Sequence, residues 1–497
     1  MYTYRQQQKN KVRQLALEDA VKKLTTLRGS SCCVRESYVR DLRNYFLDDE
    51  DSKCCQEAAR IPSEYVAEWE RLHFACSQDK RPEHLCVCYL AGPEPKNDFE
   101  ELASLGILPQ NIWAFESDKG VFRSALRQCA GNGFAQPKLI GMSVENFLEY
   151  SPKRFDIVYF DFCSTLLSAR RSLRAVVNLF RYHKLNSPGV LITNFCVPDT
   201  EDLVEYETMS EAMAIYFYIK STLDKPVEMN QGSIADSEFL KLRKEIEADF
   251  LDYYSNFITS IISNIASVAV PANRLANSPA MLANLVESID EVDSITRDSI
   301  HVSSFGRDGF AKALFVGGSN SKIKELELVL RGLPLPRKDP LLSLAICHQI
   351  KTNEISLAEN FRRALSVFGD GGTLYQFLDK PSFELVSEYA IRQLSYPMHY
   401  CPESSKRYEY KAKTKKMMVD ISLFDECRYL YDWIPAYSQI DAAKQDVGMQ
   451  YVLRFALDGL IKQRILYDSD FFYSGSVVSS YQNGFTAANI PCREKIK

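Results

Sequence analysis

Short apolar runs alternate with helical segments between about residues 84 and 200. The apolar runs are LCVCYLAG, NIWAFES, PKLIGMS, FDIVYFDF and PGVLITNF, and the helical segments include DFEELASLG, VFRSALRQCAG and SLRAVVNLFRYHKL. Apolar strands separated by helices indicate a parallel sheet whose two faces are both covered. With right-handed crossovers, the pattern predicts an α/β fold with a doubly wound, mostly parallel sheet of the Rossmann-like kind.

The rest of the chain predicts further structure on both sides of this sheet. Residues 1–80 have helical spacing of apolar side chains, as in VRQLALEDAVKKLTTL, and predict a helical N-terminal region. The Rossmann-like domain is predicted over 81–320, with an insertion at about 199–240 and two later strands, SIHVSSF and KALFVGG. Residues 321–497 mix both patterns and predict a separate C-terminal α+β domain.

The composition is that of an ordinary globular protein, with 60 Lys and Arg against 65 Asp and Glu in 497 residues and a formal net charge of −5. This balance excludes a histone-like binder that relies on bulk charge, but it allows local basic patches. No apolar run reaches the ~18 residues that cross a bilayer, and the charged first residues do not predict a secretory signal. We therefore expect a cytoplasmic protein without a membrane segment, whose 14 cysteines are mostly reduced thiols.

A group of histidines and cysteines before and within the first strand superficially resembles a zinc site. It consists of His73, Cys76, His84, Cys86 and Cys88. The usual C-x₂₋₄-C pairs are missing, and the last two cysteines lie inside an apolar run. We therefore interpret the cysteines as buried thiols and predict no metal site.

In doubly wound folds a ligand binds beyond the carboxyl ends of the strands. The loop after the first predicted strand, AGPEPKNDFEEL, has one glycine and several carboxylates, whereas a dinucleotide requires G-x-G-x-x-G. The phosphate-binding pattern GxxxxGK[ST] is absent. Acidic residues at a helix N-terminus would repel a diphosphate but tolerate a cation. The loop therefore disfavours NAD, FAD and ATP and favours a cationic ligand without phosphate.

The order of the five apolar runs and their loops resembles the successive motifs of class I S-adenosylmethionine-dependent methyltransferases. The resemblance implies S-adenosylmethionine as cofactor, and it implies that each strand-end loop contacts one part of the ligand. These positions are Ala91, Gly92 and Pro93 for the methionine part, Glu116 with Ser117 for the ribose, Ser143 and Val144 for the adenine, and Asp161 to Ser164 for the methyl acceptor. The glycine-rich motif is reduced to Gly92, and Ser143 stands where the family often has Asp.

The loop after the fourth strand allows two catalytic interpretations. In the first, Asp161 orients a target amine and Phe162 forms part of a stacking wall, as in amino-methylating relatives. In the second, Cys163 is a covalent nucleophile, because DFCS resembles the D-A-P-C-S of RNA cytosine-5 methyltransferases. The alternative to both is a buried cysteine at the end of an apolar strand. We favour the first interpretation, since the proline of the cytosine-5 motif is missing.

A basic stretch at 406–416 suggests a nucleic-acid-binding surface, because basic side chains alternate there with Tyr408 and Tyr410. Its basic residues are Lys406, Arg407, Lys411, Lys413, Lys415 and Lys416. An edge strand protected by lysines has the same pattern. The predicted function is methyl transfer, with nucleic acid as the favoured acceptor. The alternative is a non-catalytic Rossmann-like module that binds a protein partner in a larger assembly.

Overall fold

The computed structural model describes residues 7–48, 55, 59, 62–130, 136–167, 170–222, 236–295, 338, 340–366, 383–412, 415–433, 436, 446 and 490–496. The strands β1 to β9 are, in chain order, Val87–Leu90, Ile112–Phe115, Lys138–Ile140, Phe155–Asp161, Leu185–Cys196, His399–Tyr400, Lys406–Ala412, Lys415–Asp425 and Arg493–Lys495. The helices α1 to α17 are, in chain order, Gln7–Leu24, Tyr38–Leu47, Ser63–Ser77, Lys96–Ser104, Lys119–Ala130, Val144–Tyr150, Arg170–Arg181, Leu203–Thr222, Asp236–Ala248, Phe250–Asn264, Val270–Ala276, Pro279–Leu282, Ile289–Ser294, Pro340–Thr352, Glu359–Ser366, Phe383–Ser395 and Arg428–Tyr431.

The strands form one sheet in the order β3-β2-β1-β4-β5-β8-β7-β9, with β6 also paired to β8. Strands β1 to β5 are all parallel to their neighbours within that group, whereas β8 is antiparallel to both β5 and β7. The chain order reverses between β1 and β4, which is the switch point of a doubly wound sheet. The predicted fold class, a doubly wound and mostly parallel α/β sheet, is therefore confirmed.

The sheet extends beyond the predicted domain boundary at residue 320. Strands β7 and β8 lie within the predicted separate C-terminal domain, yet β8 pairs with β5 from Gly189↔Phe424 to Cys196↔Met417. Every residue of β8 from Met417 to Asp425 is buried, as expected for a central strand covered on both faces. The boundary is therefore corrected. The two strands predicted at 299–305 and 312–318 lie outside the described residues.

The predicted N-terminal helices are present, and they pack against opposite faces of the sheet. The apolar stripe of α1, which includes Ala16, Leu17 and Ala20, lies in one core with β1 and β4 side chains such as Tyr89. On the other face, Trp69 of α3 is fully buried in the second core. Both cores depend on this N-terminal region, so α1 is a fixed part of the sheet's covering layer.

One helical stretch among the described residues, Phe250–Ala276, is long and apolar enough to cross a membrane. Its most apolar window is 89% buried within the protein. Such burial is typical of a core helix in a globular protein. Within this stretch, α10 and α11 are joined through a π-helical turn at Ile265–Ala269. The predicted insertion at 199–240 is described as far as the end of α8 and again from Asp236.

Candidate functional site

A cavity of about 500 Å³ lies at the carboxyl ends of strands β1 to β4. Its walls are formed by the loops that follow these strands and by the beginning of α1. Ten of the eleven residues predicted at the strand-end loops line it, Ser164 being the exception: Ala91, Gly92, Pro93, Glu116, Ser117, Ser143, Val144, Asp161, Phe162 and Cys163. The structure thus brings these residues together, and the roles assigned to them stay predictions.

The first loop turns sharply at Gly92, whose φ of 56° lies in the left-handed region. Just before it, the backbone N–H of Ala91 donates a hydrogen bond to the carbonyl oxygen of Phe115 at 2.9 Å, which extends the β1–β2 pairing to the cavity. A Cβ atom on Gly92 would meet nothing within 4 Å. The backbone conformation therefore favours glycine here, whereas the space at this position would accept a side chain.

The Gly92→Ala substitution is therefore expected to lower the free energy of unfolding by ~1 kcal/mol, because left-handed backbone is costly for a residue with a Cβ. Gly29→Ala is the matched control. Gly29 also has open space around its Cβ position, and its φ is not in the left-handed region. Urea denaturation of both variants measures the difference. Equal stability of the two variants would contradict the strain assigned to Gly92.

Glu116 ends the second strand and is held by two backbone contacts. Its N–H donates to the carbonyl oxygen of Ile140 at 3.1 Å, which ties the strand end to β3. Its Oε1 accepts a hydrogen bond from the N–H of Asp118 at 2.7 Å. The half-buried carboxylate is thus fixed at the cavity wall, where it can accept further hydrogen bonds from a ligand's hydroxyl groups.

The third loop provides an apolar surface and one unsatisfied hydroxyl group. Val144 is buried, and Met142 is exposed along the same wall. The Oγ of Ser143 is buried and has no hydrogen-bond partner among the described residues. A buried polar atom without a partner is costly, so the Ser143 hydroxyl suits a polar group of a ligand. The neighbouring Met142 and Val144 side chains suit a flat apolar group of the same ligand.

At the end of β4, Asp161 is the centre of a polar network. Its Oδ2 lies 2.7 Å from Nζ of Lys9, and its Oδ1 accepts a hydrogen bond from Nδ2 of Asn194 at 2.7 Å. The same Nδ2 also lies 2.8 Å from the hydroxyl of Tyr410 on β7. Burial would lower the pKa of Lys9, but the adjacent Asp161 carboxylate outweighs it and raises that pKa. Lys9 is therefore a charged ammonium group beside Asp161.

A second ion pair lines the cavity near the first loop. Nε of Arg13 on α1 lies 2.7 Å from Oδ1 of Asp98 on α4. Burial raises the pKa of Asp98 to about 6, although Arg13 opposes this shift. Lys9 and Arg13 were not among the predicted site residues. The sequence feature that could have indicated them is their i, i+4 spacing, which places both on the same face of α1 as the buried Ala16 and Leu17.

The environment of Cys163 does not favour a covalent nucleophile. The residue is exposed at the cavity. Neighbouring protein atoms nevertheless desolvate its sulfur, and this desolvation raises the pKa of the thiol. The adjacent Asp161 carboxylate raises that pKa further. Lys9 opposes this shift only in part. Because the thiolate is the reactive form, a raised pKa lowers the reactive fraction at neutral pH.

Phe162 lines the cavity, yet most of its ring is packed in the core. It is buried, with its ring centroid 5.3 Å from those of both Phe160 and Phe195. The ring is therefore held firmly in place. It can offer only part of its surface to a ligand, so the stacking wall predicted from sequence is at best an edge of this ring.

The predicted nucleic-acid-binding stretch is only partly available for binding. Arg407 is buried, with Nη2 donating to the carbonyl oxygen of Ser255 at 2.6 Å and Nε lying 3.8 Å from the Asp420 carboxylate. Tyr408 and Tyr410 are buried as well. The prediction that Arg407 binds phosphate is therefore wrong, and the two tyrosine rings cannot stack on bases. Burial follows from their place on β7, which lies inside the sheet between β8 and β9.

The lysines of this stretch differ in their surroundings. Lys406 pairs with Asp19 at 2.6 Å, and Lys416 pairs with Glu409 at 2.8 Å. Lys411 and Lys415 are exposed. Lys413 lies outside the described residues.

The histidines and cysteines that resemble a zinc site in the sequence do not come together as a metal-binding cluster among the described residues. His73 is buried, with Nε2 2.8 Å from the carbonyl oxygen of Val34, and Cys86 and Cys88 are buried in and beside β1. Within the described residues, the one cluster with metal-ligand spacing is Cys33, Asp425 and Cys427. Cys33 forms a disulfide with Cys401, so its sulfur is not available as a ligand.

Both oxygens of the Asp425 carboxylate already accept two hydrogen bonds each. It accepts hydrogen bonds from the N–H groups of Cys33 and Cys427 and from the hydroxyls of Ser187 and Tyr429. This cluster is therefore a structural link between the N-terminal region and the end of β8. The other eleven described cysteines are free.

No protein-family model and no curated protein matches the sequence. Solved structures that match include an S-adenosylmethionine-dependent methyltransferase from Clostridium acetobutylicum (13% identity, TM-score 0.19, covering 32% of this chain and 57% of that one). A second is the CcbJ methyltransferase from Streptomyces caelestis (15% identity, TM-score 0.19, covering 28% of this chain and 55% of that one). A third is PKMT2 from Rickettsia typhi in complex with AdoHcy (12% identity, TM-score 0.21, covering 60% of this chain and 55% of that one). The matched regions span little more than half of each of these three proteins. The first two are named as methyltransferases.

Proposed function

We propose that the protein is an S-adenosylmethionine-dependent methyltransferase whose cofactor binds in the cavity at the carboxyl ends of β1 to β4. The observation that carries the proposal is the convergence of ten of the eleven predicted residues on this one cavity. The charges of the lining support it, since they include five carboxylates and three cationic side chains. An acidic cavity attracts a sulfonium cation and repels the phosphates of a dinucleotide.

The polar groups of the cavity match the parts of this cofactor in order. The Glu116 carboxylate can accept hydrogen bonds from two ribose hydroxyl groups. The Ser143 hydroxyl, which has no partner within the described part of the chain, can bind an adenine nitrogen, and Val144 can pack against the ring. The turn at Gly92 leaves open space for the chain that carries the sulfur.

When bound, S-adenosylmethionine supplies an electrophilic methyl group on its sulfonium. The protein's contribution is to hold the acceptor in line and to exclude water. Asp161 is placed for the first task, because each of its oxygens has capacity for a further hydrogen bond beyond those to Lys9 and Asn194. Lys9 and Asn194 fix the carboxylate from two sides, which limits the motion of an acceptor bound to it.

Nucleic acid is the acceptor class that we propose. It is supported by the exposed Lys411 and Lys415 and by Arg171, whose side chain lines the cavity and is 77% exposed. The overall charge of −5 requires such contacts to be local. With the cytoplasmic location expected from sequence, this acceptor is an intracellular RNA or DNA.

The test is transfer of a labelled methyl group from S-adenosylmethionine to total RNA and to DNA, with total soluble protein as a parallel acceptor. We expect labelling of nucleic acid. Labelling of protein alone would contradict the acceptor class. Cofactor binding without transfer to any of the three would favour the non-catalytic module instead.

For nucleic-acid binding, the double substitution of Lys411 and Lys415 by Ala is expected to flatten the log–log salt dependence of affinity for duplex DNA by up to ~1.8, because each neutralised phosphate contributes ~0.9. Lys406→Ala is the matched control, since this side chain is already paired with Asp19. Fluorescence anisotropy at several salt concentrations measures the slope. An unchanged slope in the double variant would exclude these two lysines from the binding surface.

A further inference from the structure

The Cys33–Cys401 disulfide has a third sulfur and a carboxylate beside it. The sulfurs of Cys33 and Cys427 and a carboxylate oxygen of Asp425 lie within 4.8 Å of one another. Cys401 belongs to the same cluster, because its sulfur is bonded directly to that of Cys33. Three sulfur atoms and one carboxylate therefore meet where the segment after α1 contacts the chain that follows β6 and β8.

Asp425 carries its charge into this buried cluster without a partner cation. The residue is 1% exposed, and its four hydrogen bonds come from two backbone N–H groups and two hydroxyls, all of them neutral donors. Within the described part of the chain, no cationic side chain forms an ion pair with it. Arg28 is buried nearby, but its guanidinium donates to the carbonyl oxygens of Ser187 and Pro188. Buried charges are usually paired or bound to a metal ion, so this carboxylate suits a cation.

The hydrogen bonds around Asp425 leave room for a metal ion if one hydroxyl changes its partner. The Tyr429 hydroxyl lies 2.6 Å from Oδ2 of Asp425 and 3.6 Å from Sγ of Cys427. Its hydrogen bond can therefore shift from the carboxylate to a Cys427 thiolate, which frees one lone pair of Oδ2. Outer hydrogen bonds of this kind orient the ligands in metal sites.

We propose that the three cysteines of this cluster and Asp425 hold a zinc ion in the reduced protein. A dithiol reductant gives two electrons and two protons to the disulfide and is itself oxidised to a disulfide, which leaves Cys33 and Cys401 as thiols. Each of the three thiols then loses its proton to solvent as Zn²⁺ binds. Three thiolates and one carboxylate match the ligand preference and the tetrahedral geometry of zinc. With Zn–S bonds of ~2.3 Å, the bound sulfurs lie ~3.8 Å apart, which the side chains reach by rotation.

Zinc and the disulfide are thus alternative links between the same segments of the chain. The cytoplasmic location expected from sequence implies a reducing compartment, where disulfides rarely persist. There the zinc ion keeps the N-terminal region attached to the end of β8. The ligands come from three distant parts of the chain, so the spacing of cysteines in the sequence does not reveal them.

The experiment titrates Zn²⁺ into the full-length protein in two forms, with a chromophoric chelator as competitor. One form is reduced with a dithiol that is then removed under nitrogen, and the other keeps the disulfide. We expect the reduced form to bind one zinc ion per chain at least about 100-fold more tightly, because the disulfide form lacks two of the four ligands. The other eleven described cysteines are free thiols in both forms.

Two further measurements identify the site. X-ray absorption at the zinc edge should show three sulfur ligands and one oxygen ligand. Zinc should also raise the thermal unfolding midpoint of the reduced form and leave that of the disulfide form unchanged, because a ligand that binds the folded state stabilises it.

Cysteine variants assign the ligands. Cys427→Ser keeps the disulfide pair and should weaken zinc binding by more than about 100-fold, since loss of a mere outer partner costs ~10- to 100-fold. Cys129→Ser is the matched control, because it removes a buried thiol on α5 outside the cluster, and it should bind zinc as the unmodified protein does. Cys401→Ser decides the matter if Cys427→Ser fails to fold.

Three results would each overturn the site. The reduced protein could fail to compete with the chelator for zinc, or both forms could bind zinc equally well. The ligand variants could bind zinc as tightly as Cys129→Ser, or the absorption spectrum could show fewer than three sulfur ligands, and either result would place the ion elsewhere. None of these outcomes depends on methyl transfer.

Discussion

Replacing Asp161 with alanine is expected to lower the turnover of methyl transfer by roughly 100-fold or more, the usual scale for removing a positioned polar group at a reacting centre. The substitution removes the carboxylate that would hold the acceptor, and it releases Lys9 and Asn194 from their shared partner. Transfer of labelled methyl groups to nucleic acid measures the effect. Calorimetry with S-adenosylhomocysteine shows whether cofactor binding is retained.

Two controls separate this role from other functions of the same network. Tyr410→Phe removes a hydroxyl that contacts Asn194 without touching Asp161, and it should keep most of the activity. Cys163→Ser should also stay active, because its raised thiol pKa disfavours a covalent role. An inactive Cys163→Ser variant, together with a trapped adduct on a 5-fluoropyrimidine substrate, would establish the covalent mechanism instead.

Glu116→Ala is expected to weaken S-adenosylhomocysteine binding by roughly 30- to 150-fold, because a charge-assisted contact to two ribose hydroxyl groups contributes ~2–3 kcal/mol. The fold should be retained, since the half-buried side chain contacts the backbone of Asp118 and contributes little to the core. Calorimetry measures the affinity, and far-ultraviolet circular dichroism checks the secondary structure.

Glu100→Ala is the matched control for this loss of a carboxylate. Glu100 is exposed on α4, pairs with Lys96 at 3.0 Å and does not line the cavity. Its removal should leave the affinity unchanged. If Glu116→Ala binds as tightly as Glu100→Ala, the ribose contact must lie elsewhere in the cavity.

The sequence was sufficient to place the strand-end loops. The runs LCVCYLAG, FDIVYFDF and PGVLITNF could be assigned to parallel strands because nearly continuous apolar residues indicate burial on both faces, and these three strands are largely buried. The carboxyl ends of parallel strands meet at one edge, so Glu116 and Asp161 had to converge there. No long-range information was needed for this part of the prediction.

The contribution of α1 could not be predicted in the same way. Helical periodicity shows which face of a helix is apolar, but it does not show which part of the protein that face covers. Lys9 meets Asp161 across 152 positions of sequence only because α1 packs along β5 and β7. The i, i+4 spacing of Lys9 and Arg13 indicated a common face, without indicating that this face ends at a cavity.

Long separation in sequence also explains the two errors in the C-terminal region. Strand β5 ends at Cys196, whereas its neighbour β8 begins at Lys415, and local patterns do not show such pairings. The same limit applies to Arg407, which lies opposite Asp420 in the β7–β8 register. A run of basic residues appears available for binding until the carboxylates on adjacent strands are known.

Titration of the unmodified protein with S-adenosylhomocysteine measures directly whether the cavity binds the cofactor. We expect saturable binding of one ligand per chain with a Kd below ~1 mM, the upper end of ordinary enzyme–ligand affinities. S-adenosylmethionine should compete for the same site. Absence of binding at ~1 mM of either compound, in a protein that unfolds cooperatively, would contradict the assignment of this cavity to the cofactor.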